Sequence, residues 1–150
     1  MSEYLTAVWN SYQVGADKKP SYSNGSLVRA TFWERFDPHT YFVFADNLFA
    51  FAARYGTNSS NELYAIAQKF CYDTPSVGQG TLQWIEMGNE PEGGWNGIHN
   101  YLSAYQLAAA TSAAYDGHCK TMVSTGEGGY HLGGKNADPN MKLAMAGVSG

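Results

Sequence analysis

Apolar positions across residues 38–55 recur at helical spacing, with Phe42, Ala45, Phe49 and Ala52 on one face. Phe44, Leu48 and Phe51 make the remaining faces apolar too. The predicted helix therefore needs cover on several sides, as in a layer packed on a sheet and on its neighbours. Asp37 and Pro38 open it, a good N-cap followed by a proline that sacrifices no hydrogen bond in the first turn. Gly56 closes it as a C-cap. Ser59 and Glu62 form a capping box for a second helix that places Leu63, Ile66, Ala67 and Phe70 on one side. Residues 73–80 carry Pro75, Gly78 and Gly80 and read as a loop. Residues 81–89 read as a strand bounded by Gly80 and Pro91. A further capping box, Ser103 with Gln106, opens an alanine-rich helix that Gly117 ends. Its alanines at 108, 109, 110, 113 and 114 permit close approach of a neighbour. Residues 118–140 read as a long loop, and residues 141–148 as a strand apolar enough to be buried on both faces.

Alternating helices and apolar strands predict an α/β fold of parallel βα units. Residues 1–36 are rich in turn formers and are expected to be the end of a strand followed by an irregular loop. The final strand has nothing after it to cover it, so the expectation is an open part of a larger α/β domain.

The chain has 150 residues, enough for one domain with a respectable core. Its net charge of −4 argues against nucleic-acid binding, which calls for a basic stripe or patch. Seven Phe, four Trp and eleven Tyr argue against disorder. Charged residues make up only 15%, below the roughly 25% of an average globular chain, and Tyr, Gly, Ser and Asn take their place. Neutral, hydroxyl-bearing and aromatic surfaces suit neutral, hydroxyl-rich ligands such as sugars. No stretch reaches the roughly 18 apolar residues of a membrane span, and residues 1–5 show no basic and apolar leader pattern. Cys71 and Cys119 lack metal-ligand spacing and read as small thiols, with a single disulfide open in an oxidising compartment.

The chemistry concentrates in residues 84–95. Alternation puts Trp84, Glu86, Gly88 and Glu90 on one face of the strand and the apolar Ile85 and Met87 on the other, toward helices. Pro91 stops the strand, which leaves Asn89 and Glu90 at its C-terminal end. Ligands bind at that edge in parallel α/β sheets, and catalytic groups sit there in (β/α)8 barrels.

Asn89-Glu90-Pro91 at a strand end resembles the fourth-strand signature of the large clan of retaining glycoside hydrolases built on TIM (β/α)8 barrels. Residues 51–56, 115–118 and 135–143 also resemble a bacterial group of such proteins. The resemblance runs from about Asp37 to the C-terminus. It implies a partial barrel, residues 37–150, spanning the third helix to the fifth strand, within one incomplete domain 1–150. It also implies glycosidase activity in the complete protein on an oligo- or polysaccharide, without cofactor or metal, in an extracellular or periplasmic setting. Glu90 would be the general acid/base, and Asn89 would bond the sugar 2-hydroxyl. Trp95 is a candidate sugar-stacking platform, and an ordinary packing tryptophan is the competing reading. Gly88 stands where the group commonly has an aromatic residue, and Glu92 where it has Asp.

Retaining glycosidases hold two carboxyl groups about 5 Å apart. In the clan the nucleophile comes from strand seven, on the order of 100 residues beyond Glu90 at roughly 30 residues per βα unit. Glu127 is the only Glu downstream of Glu92 and falls in the loop before the next strand, so the nucleophile is expected outside these residues, with the rest of the barrel. Glu86 is expected to be a polar layer residue partnered by Arg or His. Trp9 and Trp33 are expected in packing, and His39, His99, His118 and His131 as satisfied or exposed side chains. Three other readings stay open: a non-catalytic carbohydrate-binding barrel, a small α/β interaction domain with a chance motif, and a hydrolase completed by a partner chain. No GxSxG, P-loop or GxGxxG pattern is present.

Overall fold

The computed structural model of the chain describes residues 10–60, 76–91, 93, 101–126 and 128–147. The N-terminal stretch, expected as irregular, carries an antiparallel hairpin of β1 (Tyr22–Ser23) and β2 (Ser26–Leu27). Asn24 and Gly25 turn it with φ of 49° and 77°. Two successive left-handed residues match the right-handed twist of a hairpin, which is why Asn-Gly serves there. Gln13 lies at the centre of this patch. Its amide donates to Val28 O at 2.8 Å, and its carbonyl accepts from Ser21 at 2.9 Å. The Tyr12 amide donates to Thr40 O at 2.8 Å and docks the patch on the next helical segment.

Two 3-10 turns, Glu34–Phe36 and Pro38–Tyr41, precede α1 (Phe42–Tyr55). Asp37 caps the second turn through the His39 amide, with Pro38 at the first position as its chemistry requires. The predicted start at 38 thus holds for the helical path, although the first turn is wound tighter. Phe44, Ala45, Leu48, Phe49, Ala52 and Ala53 are all buried in α1, so most of its apolar residues find cover, but Phe51, expected to need it too, is 44% exposed.

Gly56 follows α1, but its backbone is extended, with φ −72° and ψ −167°. Space, not handedness, demands glycine here: a Cβ would collide with Asp138 Oδ2 and the Ala52 carbonyl. Asp138 is only 1% exposed. It accepts from the Thr57 amide at 2.6 Å and the Asn140 amide at 2.9 Å, which fastens the end of α1 to the approach of the last strand. The predicted helix at 63–70 and Cys71 lie outside the described residues.

The Ser103–Gln106 capping box is present in both directions and starts α2 (Ala104–Lys120). Ala110, Ala113 and Ala114 are fully buried against Tyr41, Phe44, Ala45 and Leu48. Regular helical geometry stops before Asp116, and Gly117 takes φ 66°. A Cβ at Gly117 would fall 2.5 Å from Leu132 O, so close approach demands glycine there and handedness favours it. The region expected as a loop contains the short α3 (Gly134–Ala137) and a bridge between Val123 and His131.

Strands β3 (Trp84–Glu86) and β4 (Lys142–Ala144) pair in parallel: Trp84 opposite Lys142, Ile85 opposite Leu143, Glu86 opposite Ala144. The register continues past the strands to an Asn89–Gly147 bridge. Parallel strands need a crossover, and α2 and α3 lie within it. Ile85 and Leu143 pack on both apolar clusters, and Met87 is buried in the first of them. Trp84 and Glu86 are exposed, and the Lys142 ammonium sits 4.7 Å from the centre of the Trp84 ring. Of the predicted final strand, three residues are in strand form. Burial on both faces does not hold: Lys142 is exposed, and Met145, just past the strand, is 60% exposed. Among the described residues no helix is long and apolar enough to cross a membrane.

Candidate functional site

Glu90 sits where the parallel ladder ends. The rungs run from Lys142 N–H to Gln83 O (2.8 Å), through Met87 N–H to Ala144 O (3.0 Å), to Glu90 N–H to Gly147 O (2.7 Å). Beyond that rung the chain turns sharply. Glu90 takes φ 44°, and its carbonyl accepts from the Gly93 amide at 2.9 Å. Pro91 is buried, and its carbonyl accepts from Leu102 at 2.9 Å, one residue before the Ser103 cap of α2. The half-buried Glu90 is thus held on both sides of its Cα, between the end of β3 and the start of α2.

A left-handed backbone is uncommon for residues other than glycine, at about 1–2 kcal/mol each. Strain of this kind gathers at functional sites. Gly88, two residues earlier, also has positive φ (120°), and the ladder is interrupted between Glu86 and Asn89 before it resumes in the same register.

Asn89 is exposed beside Glu90, at the bridge with Gly147. Trp95 lies outside the described residues, as do Glu92, His99 and Glu127. Among the described residues Glu86 bonds to no Arg or His. Its Oε1 accepts from the Gly147 amide at 3.3 Å, so Glu86 and Glu90 both bond to Gly147, one through a side chain and the other through its backbone.

Aromatic groups that sequence reasoning assigned to packing lie open by the start of α2. Trp33, expected in packing, is 78% exposed. Its ring stacks on Phe36 at 6.0 Å and 23°, and Phe32 meets both edge-on. Arg35, beneath them, is buried and donates from Nη2 to Tyr101 O at 2.7 Å. Gln106 is fully buried and donates from Nε2 to Phe32 O at 3.0 Å. Burial raises the Tyr41 hydroxyl pKa above the ordinary phenol value, with the Arg35 guanidinium pulling it partly back. The Thr31 amide, bonded to Glu34, lowers the carboxyl pKa of that residue. The signal that could have revealed this group is three aromatic residues spaced within one short helical turn and its lead-in, too short a segment to bury them all.

A second polar group lies at the other end of α2. Asp37 Oδ1 is 2.8 Å from His39 Nδ1, and His39 Nε2 is 3.1 Å from Thr121 Oγ1. Lys18 Nζ pairs with Asp37 Oδ2 at 2.6 Å. Burial alone would raise the Asp37 pKa; Lys18 and the His39 amide and ring outweigh it and lower it to about 2. Thr121 Oγ1 is also 2.7 Å from His118 O, as a donor to that carbonyl. The hydroxyl is thereby tied into the turn, and the group reads as a clamp between the 3-10 turn before α1 and the end of α2. A recess of about 900 Å³ beside it is lined by Lys18, Asp46, Thr121 and Ser124 among others, and a smaller one of about 390 Å³ by Thr57, Gln83 and Asn140 among others. Glu90 lines neither.

No group of three or more His, Cys, Asp or Glu side chains fit for a metal ion occurs among the described residues. Cys119 is an exposed free thiol. No protein-family model, curated protein or solved structure matches the chain.

Proposed function

We propose that these residues belong to a retaining glycoside hydrolase with a (β/α)8 barrel and that Glu90 is its general acid/base. The observation that carries this reading is the position of Asn89-Glu90-Pro91 at the C-terminal end of a strand paired in parallel with the next, the edge where such folds do chemistry. Glu90 donates a proton to the departing glycosidic oxygen and then, as carboxylate, deprotonates the attacking water. Asn89, next to it and exposed, bonds the substrate hydroxyl. The second carboxyl group, the nucleophile, comes from a later strand of the barrel.

The test is a leaving-group series with the complete protein. Glu90→Gln should suppress turnover of glycosides with poor leaving groups and spare those with activated aryl groups, because only poor leaving groups need the proton. Equal and small effects on both would remove Glu90 from this role.

A further inference from the structure

The parallel ladder breaks at Gly88, where φ is 120°. Met87 N–H to Ala144 O, at 3.0 Å, is the rung before the break, and Glu90 N–H to Gly147 O, at 2.7 Å, is the rung after it. Across the gap runs a side-chain bond. Glu86, the last residue of β3, accepts at Oε1 from the Gly147 amide at 3.3 Å. A Cβ on Gly147 would stand 3.4 Å from the same oxygen, so the carboxylate lies against that backbone. Strained backbone persists where its neighbours over-determine it. Glu90, with φ 44°, is held by its own amide on Gly147 O and by the Gly93 amide on its carbonyl at 2.9 Å. The first of these holds requires Gly147 to stay in place.

We propose that Glu86 is a positioning residue for Glu90. By holding the Gly147 amide it keeps the Gly147 carbonyl under the Glu90 amide, and so fixes the direction in which the Glu90 side chain leaves the backbone. The inference rests on the proposed acid/base role of Glu90 and names the residue that sets its geometry. Glu86 is exposed, and an exposed carboxylate gains little stability by giving up rotamers for one backbone bond. Its effect is local. What the bond requires is an acceptor oxygen with the reach of Glu; the charge is incidental.

Three variants separate reach from charge. Glu86→Gln keeps an acceptor oxygen at the same reach without the charge, Glu86→Asp keeps the charge one methylene short, and Glu86→Ala keeps neither. In the 150-residue chain, hydrogen exchange of the Glu90 amide should be several times faster in Glu86→Ala and Glu86→Asp and unchanged in Glu86→Gln, with the thermal midpoint steady in all three. In the complete protein, the alanine and aspartate variants should show the leaving-group pattern of Glu90→Gln in weaker form. They should lose about tenfold to a hundredfold in kcat on poor leaving groups, the cost of misplacing a reacting group by up to about 1 Å, at constant KM. Glu86→Gln should restore most of that loss. Parent-like exchange at Glu90 in Glu86→Ala, equal losses on all leaving groups, or a Glu86→Gln as impaired as Glu86→Ala would each overturn the proposal. The two readings fail separately. Glu90→Gln without its leaving-group pattern removes the acid/base whatever the exchange rates, and unaltered exchange in Glu86→Ala removes the positioning role whatever Glu90→Gln does.

Discussion

The Glu90 amide donates to the Gly147 carbonyl at 2.7 Å, and beside it the Glu86 carboxylate accepts from the Gly147 amide at 3.3 Å. One glycine just beyond β4 thus bonds to both Glu86 and Glu90. The arrangement leaves Glu90 in a left-handed backbone that a glycine would adopt with less strain.

Glu90→Gly is therefore expected to stabilise the chain. Relief of about 1–2 kcal/mol of backbone strain, less about 0.5–1 kcal/mol of added unfolded-state freedom, leaves a gain of up to about 1.5 kcal/mol. For a chain of this size each kcal/mol raises Tm by about 2–4 °C. Glu90→Gln keeps the same backbone and should leave Tm where it is. A lower midpoint for Glu90→Gly in calorimetry would contradict the strain.

Gly56→Ala should destabilise because of Asp138, not because of handedness. Its extended backbone accepts any residue, and the collision is with the Asp138 carboxylate and the Ala52 carbonyl. In an Asp138→Gly background the penalty should shrink, giving a coupling of about 0.5–3 kcal/mol in a double-mutant cycle measured by urea unfolding. Asp138→Ala alone strands the Thr57 and Asn140 amides, at about 1–3 kcal/mol. Strictly additive values would show that the two residues do not meet.

Asp37 sets an acid limit on stability. Its folded pKa of about 2 lies below the model-compound value of 3.8. Its contribution is thus fully present above about pH 4 and lost as the pH falls through about 2, the sign proper to a depressed carboxyl pKa. Lys18 is half exposed, so screening holds the effect to on the order of 1 kcal/mol. The stability difference between the parent and Asp37→Asn should close as the pH falls from about 4 toward 2 in urea titrations. A difference that persists undiminished at pH 2 would disprove it.

Ala113→Leu tests the contact between α1 and α2. Ala113 is fully buried in the cluster with Phe44 and Ala45, so added methylenes have no room and should cost about 1–3 kcal/mol. Ala108 is exposed on the same helix, and Ala108→Leu should stay within about 0.5 kcal/mol. Equal effects at the two positions would mean that the helices are not tightly packed there.

Helices were legible where their signals are local. Ser103 and Gln106, Asp37 and Pro38, and the spacing of Phe42, Ala45 and Phe49 all act within a turn or two of their own chain, and each works as read. The hairpin at Asn24 and Gly25 announced itself in that dipeptide, but its flanking serines supply no alternation of apolar residues, so the turn passed for loop. Gly56 was legible as a helix end and not as a close approach, because its collision partner Asp138 is far along the chain. The alternation of Ile85 and Met87 against Trp84 and Glu86 was readable. The register between β3 and β4 was not, since parallel pairing is set by the crossover that separates the strands. Trp33 is the largest surprise: aromatic residues default to packing, and only the tertiary arrangement shows that nothing described covers it.

The bond from Thr57 to Asp138 spans 81 positions, and the cover of α1 comes from α2 and α3 downstream. At about 5–20 residues per second of synthesis, α1 waits roughly 4–16 s after leaving the ribosome before Asp138 follows it. Until α2 and then α3 follow, a segment apolar on several faces has only part of its native cover, the condition in which a nascent chain suits a holding chaperone.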